Sequence, residues 1–206
     1  MKFCYIAALS VFVSLIATAQ STTCDLCWVN GYDKCCNVSS LQCPGQCMTV
    51  SEYCNVDDRQ YRTIQRTCGN PYFCSMNCFS VTGPPNFKVR VGIQCATGDH
   101  SNADLDYMVC PELAENGYQC PVCYRNDTLE ECSPDGYVKC SGYEKECVNY
   151  VAVVQYPDTV PRNVSVKGCV VTGGCNVGLA AIPGTKQMTL IKMECTNAME
   201  VPANNS

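Results

Sequence analysis

No long stretch of this chain carries apolar residues at three- and four-residue spacing. Alternation with period two is the stronger signal, and it marks strands with one buried face. Val148-Asn-Tyr-Val-Ala-Val-Val-Gln-Tyr156 is dense in β-branched and aromatic residues, and Asn163-Val-Ser-Val-Lys167 alternates. Pro157-Asp-Thr-Val-Pro161 between them reads as a turn, so the stretch predicts a long hairpin. Met48–Tyr53 and Tyr61–Thr67, flanking Asn55-Val-Asp-Asp-Arg59, predict a second hairpin of the same kind. Further hairpins are expected to turn at Gly83-Pro-Pro-Asn86 and at Ile182-Pro-Gly-Thr185. The reading is all-β.

One apolar run breaks the alternation. It extends from Phe3 to Ile16, after Lys2 and before Ala17-Thr-Ala19. A short basic start, an apolar stretch and small residues at a cleavage site predict a signal peptide over 1–19. The run is short for a membrane span, and the C-terminal tail is polar, so neither a membrane anchor nor a lipid anchor is expected. The expected localisation is secreted and extracellular.

Composition sharpens this. The 206 residues include 21 cysteines and one histidine, with a net charge of −5. Cysteine at that density in a secreted chain predicts a disulfide scaffold. Cleavage of the leader removes Cys4 and leaves 20 cysteines, an even number. The acidic balance argues against a nucleic-acid partner. A single imidazole, His100 in a polar stretch, argues against catalysis by paired histidines. Neither an enzymatic activity nor a cofactor is expected. Cys24-Asp-Leu-Cys27 and Cys120-Pro-Val-Cys123 have redox or zinc spacing. The first use needs a βαβ context and the second needs free thiols, so structural bridges are the expectation and no metal is.

The cysteines repeat. Cys24, Cys27, Cys36, Cys43, Cys47, Cys68, Cys74 and Cys95 recur as Cys120, Cys123, Cys132, Cys140, Cys147, Cys169, Cys175 and Cys195, at offsets of 96 to 101 residues. A fixed offset signals a repeated unit. Domains are expected over 20–104 and 105–206, joined through the polar stretch Gly98–Asp104. Three cysteine-anchored hairpins per unit are expected.

Cys120-Pro-Val-Cys-Tyr124 with the cysteines that follow resembles the three-finger fold of the urokinase-receptor and lymphocyte-antigen family, twice over nearly the whole mature chain. The resemblance implies three β-hairpin fingers on a disulfide-knotted hub. It also implies the pairings Cys24–Cys47, Cys27–Cys36, Cys43–Cys68 and Cys74–Cys95, then Cys120–Cys147, Cys123–Cys132, Cys140–Cys169 and Cys175–Cys195. The family's closing bridge is missing in both units: Ala96 and Ser101 stand where its cysteines are expected in the first, and the second ends Cys195-Thr-Asn197. Four cysteines are extra: Cys35, Cys54, Cys78 and Cys110. Cys54 with Cys78, and Cys35 with Cys110, is one way to pair them.

Asn116-Gly-Tyr-Gln-Cys-Pro-Val-Cys-Tyr124 resembles the second-domain opening of the gamma class of blood phospholipase inhibitors. The shifted cysteines, and Ala181-Ile-Pro-Gly-Thr-Lys186 with Leu190-Ile-Lys192, resemble sodefrin-type courtship-pheromone precursors. The leading expectation is therefore a secreted, pheromone-like signalling protein that engages an extracellular protein receptor through its finger loops. The alternative is an inhibitor that binds a secreted phospholipase. The expected binding residues are Asp57, Asp58, Arg59, Tyr61 and Arg62 on one finger, and Tyr156, Asp158 and Arg162 on its equivalent. Asn37, Asn126 and Asn163 begin glycosylation tripeptides.

Overall fold

The computed structural model describes residues 21–30, 38–157, 159–178 and 184–202. The expected leader over 1–19, Cys35, Cys36, Asn37, Asp158 and the stretch Ala181-Ile-Pro183 lie outside them. The first unit contributes β1 (Ser21–Asn30), β2 (Ser39–Pro44), β3 (Cys47–Val56), β4 (Arg59–Cys68), β5 (Cys78–Thr82) and β6 (Phe87–Ala96). The second contributes β7 (Glu115–Arg125), β8 (Gly136–Ser141), β9 (Glu144–Gln155), β10 (Arg162–Val171), β11 (Lys186–Asn197) and the short β12 (Met199–Glu200). Among the described residues, helix is confined to two single turns, α1 (Pro71–Cys74) and α2 (Gly174–Val177), each carrying a bridged cysteine.

The hairpins follow the alternation. β3 and β4 pair in register from Cys47 opposite Cys68 to Val56 opposite Arg59. Asp57 and Asp58 turn the chain with φ of 52° and 60°. Two consecutive residues in the left-handed region make the tight turn whose twist matches a two-residue hairpin, and Asp tolerates that region. β9 and β10 form the equivalent hairpin, and β5 and β6 turn at Gly83–Asn86. β11 pairs with β9, while the chain just before it, at Gly184 and Thr185, turns inward and is buried.

The bridges Cys24–Cys47, Cys43–Cys68 and Cys74–Cys95 knot the first hub. Cys120–Cys147, Cys123–Cys132, Cys140–Cys169 and Cys175–Cys195 knot the second. Cys27 is disulfide-bonded too, but its expected partner Cys36 lies outside the described residues. The extra cysteines pair differently from the arrangement considered above. Cys78 bonds Cys110, and Cys54 is a buried free thiol. The reason is topological: Cys54 points into the core between the units, whereas the chain leaving the first unit passes over the opposite face of its sheet. There Tyr107 and Met108 bond to Glu52 and Ser51, and Cys110 reaches Cys78. The chain thus stays with the first unit as far as Cys110.

The units are not separate beads. β10 of the second pairs with β5 of the first, Cys169 opposite Thr82 and Val170 opposite Val81. One sheet therefore runs β11-β9-β10-β5-β6-β3-β4-β1-β2. It curls so that Val50, Val56, Phe87 and Val89 of the first unit share one core with Tyr124, Val154, Tyr156 and Val166 of the second. Each unit is small for a self-sufficient core, and pooling the apolar faces removes more surface from water.

Candidate functional site

The residues expected to form two free finger tips meet each other instead. The Asp57 carboxylate accepts hydrogen bonds from Arg162 Nη1 at 2.9 Å, Asn126 Nδ2 at 3.1 Å and the Tyr124 hydroxyl at 3.3 Å. Tyr61 stacks on Tyr156 with ring centroids 5.6 Å apart and planes 10° from parallel. The Arg162 guanidinium lies 6.0 Å from the Tyr156 centroid. Burial holds the Tyr156 hydroxyl well above the usual phenol range. Arg62 reaches over the Tyr53 ring instead. Asp58 and Arg59 alone of the described members of this set are exposed, at the tip, and Asp158 lies outside the described residues. Asp57, Tyr61, Tyr156 and Arg162 therefore fasten one unit to the other. Alternation gave no sign of this, because contact between two repeats depends on how the sheet curls.

Two buried carboxylates extend the seam. Glu52 on β3 accepts from the Gly184 amide at 2.5 Å and the Thr185 hydroxyl at 2.9 Å, both in the second unit. Glu144 on β9 accepts from the Ser80 and Thr82 hydroxyls of the first unit, each at 2.8 Å, and from the Ser141 amide at 3.1 Å. Burial pushes the Glu52 carboxyl up to about 7 and raises that of Glu144 as well.

The cysteine pairs with redox spacing carry no such chemistry here. Cys24 and Cys120 bond to Cys47 and Cys147, and Cys123 to Cys132, so neither motif closes on itself. The sulfurs of Cys120, Cys140 and Cys169 crowd within 4.8 Å of one another, but all three belong to bridges and offer no thiolate to a metal. His100 Nδ1 lies 2.5 Å from Asp25 Oδ1 and clips the departing chain to β1.

One exposed apolar face lies on the first finger. Asp25 and Cys27 of β1 turn inward, so Leu26 and Trp28 turn outward. Leu41 of β2 stands opposite Cys24 and hence on the same side of the pleat. Trp28 is the chain's only tryptophan and remains 58% exposed. A tryptophan left in water on a disulfide-braced hairpin, with exposed Leu26 and Leu41 on the same side of the sheet, has the composition of a protein contact patch. The pairing of a lone Trp with period-two alternation was its only signal in the sequence. Of the glycosylation acceptors, Asn126 is exposed and Asn163 is half-buried on β10.

The hairpins, the repeated hub and the free finger face decide the fold. The chain is a tandem three-finger protein. No family model matches it. It is 27% identical over 188 residues to the phospholipase A2 inhibitor 31 kDa subunit of Naja kaouthia, a match covering 87% of this chain and 95% of the relative. It is 24% identical over 195 residues to the phospholipase A2 inhibitor PIP of Malayopython reticulatus, covering 92% and 93%. Among solved structures, mouse TEX101 aligns at 17% identity and a TM-score of 0.33, covering 87% of this chain and all of that one. Among the described residues, no helix of this three-finger protein is long and apolar enough to cross a membrane.

Proposed function

We propose that this protein is a secreted, non-enzymatic inhibitor that binds a secreted phospholipase A2 by direct contact. The observation that carries the reading is the likeness to two phospholipase A2 inhibitors along almost the whole of each chain. It outweighs the courtship-signal reading, whose support was the shifted cysteine frame and a short stretch that lies partly outside the described residues. An inhibitor of this kind needs no reactive group. It needs a rigid apolar surface that covers the partner, and the Trp28 face of the first finger supplies one. Bridges from Cys24, Cys27 and Cys43 brace that finger before binding, which lowers the ordering cost.

The test is binding of the purified chain to immobilised secreted phospholipases A2 of differing charge, with lipid hydrolysis as a second readout. The wild-type chain is expected to bind and to slow hydrolysis. Trp28→Ala is expected to weaken binding at least tenfold, roughly 1.4 kcal/mol or more, with an unchanged melting temperature because the side chain is exposed. Absence of wild-type binding across the panel would overturn the inhibitor reading. A neutral Trp28→Ala beside a binding wild type would move the contact to another face.

A further inference from the structure

We propose that Glu52 is a pH-operated latch between the two units: protonated, it closes the β3–β4 side of the seam, and ionised, it loosens that side.

The sheet order makes the two sides of the seam unequal. On the β5 side the units are joined by backbone pairing to β10 and by Glu144 reaching Ser80 and Thr82. β3 lies two strands away from β5 in that order. There the units meet through side chains: Glu52 with Gly184 and Thr185, Asp57 with Arg162, and Tyr61 with Tyr156. The β5 side is built as a hinge and the β3 side as its free edge.

Glu52 is fully buried, and its donors are a backbone amide and the hydroxyls of Thr185 and Thr63. None is cationic. The groups around it are accounted for. Cys54 on its own strand is a buried neutral thiol. Tyr107, from the chain crossing the other face, donates to the Glu52 backbone carbonyl at 2.6 Å and carries no positive charge. Arg62 on β4 and Arg90 on β6 stand opposite Tyr53 in register and lie over its ring. From the second unit, Tyr156 is stacked on Tyr61. Among the described residues, no charged group is among the causes of its shift, and a buried carboxylate without a counter-charge is costly to ionise. The fit is close: a Cβ on Gly184 would collide with the Glu52 carboxylate and with Thr63 Oγ1.

The direction follows from linkage. The carboxyl titrates near 7 in the closed seam and near 4.5 when freed into water. An acid whose closed-state value is raised favours closure below 4.5, and that advantage is lost as pH rises to about 7. Opening should increase over that window and level off above it. Between pH 5 and pH 8 the rise should exceed about tenfold.

Hydrogen exchange, corrected for the intrinsic base-catalysed rate, reads this directly. In the wild-type chain, protection at Gly184, Thr185 and the facing residues of β3 and β4 should fall more than about tenfold between pH 5 and pH 8, while β5 and β10 stay protected. Glu52→Gln keeps the shape and the hydroxyl bonds but cannot ionise, so its protection should not depend on pH. Glu144→Gln should retain the wild-type dependence at Gly184 and Thr185. Thr185→Val, which removes one donor and leaves the carboxyl, should open further at pH 8 and little at pH 5. pH-independent protection in the wild type, equal loosening of both units, or an unchanged dependence in Glu52→Gln would overturn the latch. The wild-type profile decides even if a variant fails to fold. It is independent of phospholipase binding.

Discussion

Asn102 shows how much a single buried side chain can hold together where a covalent bridge is missing. In the first unit the closing bridge of the three-finger pattern is absent, and the Ser101 hydroxyl donates to the Ala96 carbonyl at 3.0 Å across the same two positions. The neighbouring Asn102 is fully buried. Its Oδ1 accepts from the Asp25 amide at 3.0 Å, and its Nδ2 donates to the carbonyls of Asp25 at 2.9 Å and Met48 at 3.2 Å. Removing that amide strands an N–H and two carbonyls away from water. Asn102→Ala is therefore expected to cost about 2–4 kcal/mol in non-reducing denaturant titrations. A loss below about 1 kcal/mol would mean that water replaces the amide. Cys54 gives a second test at this scale. Its thiol is buried, and burial with the Glu52 charge nearby pushes its ionisation up. It should resist iodoacetamide in the native chain and react only on unfolding, as mass spectrometry would show.

At the scale of elements, the segment from Asn102 to Cys110 ties the chain leaving the first unit to its sheet. It lies against β3 through Thr49, Ser51 and Glu52, and the Met108 carbonyl sits where a Cβ on Gly92 would fall. The bridge Cys78–Cys110 pins its far end. Replacing both cysteines with serine is expected to lower stability by about 3–4 kcal/mol in the loop-entropy picture, because the closed loop spans some thirty residues. Thermal melts of the double variant under matched conditions would check the figure. Much of this scale was legible in the sequence. Alternation marked the hairpins of β3–β4 and β9–β10, and the cysteine offsets marked the repeat. The partner of Cys78 was not legible, because bridge choice depends on which face the crossing chain takes. Nor was the use of Asp57 and Arg162, since a charged hairpin turn reads the same whether it meets water or another unit.

For the whole molecule, shared burial implies shared unfolding. The core is contributed by both units, and Tyr156 of the second is 4% exposed where it meets Tyr61 of the first. If the units were independent, each would melt on its own and a core substitution would shift only its own transition. With a pooled core and backbone pairing between β5 and β10, neither unit keeps its apolar face covered once the other unfolds. Calorimetry at pH 5 should show one transition whose van't Hoff and calorimetric enthalpies agree. Tyr156→Ala should lower that transition as a whole, by about 3–5 kcal/mol if the site does not collapse. Residues 21–110 expressed alone should expose Val50, Val56, Phe87 and Val89, bind a hydrophobic dye and aggregate. Two separate transitions, with only one moved by Tyr156→Ala, would show instead that each disulfide hub stabilises its own unit. The latch at Glu52 would then act between two bodies rather than within one.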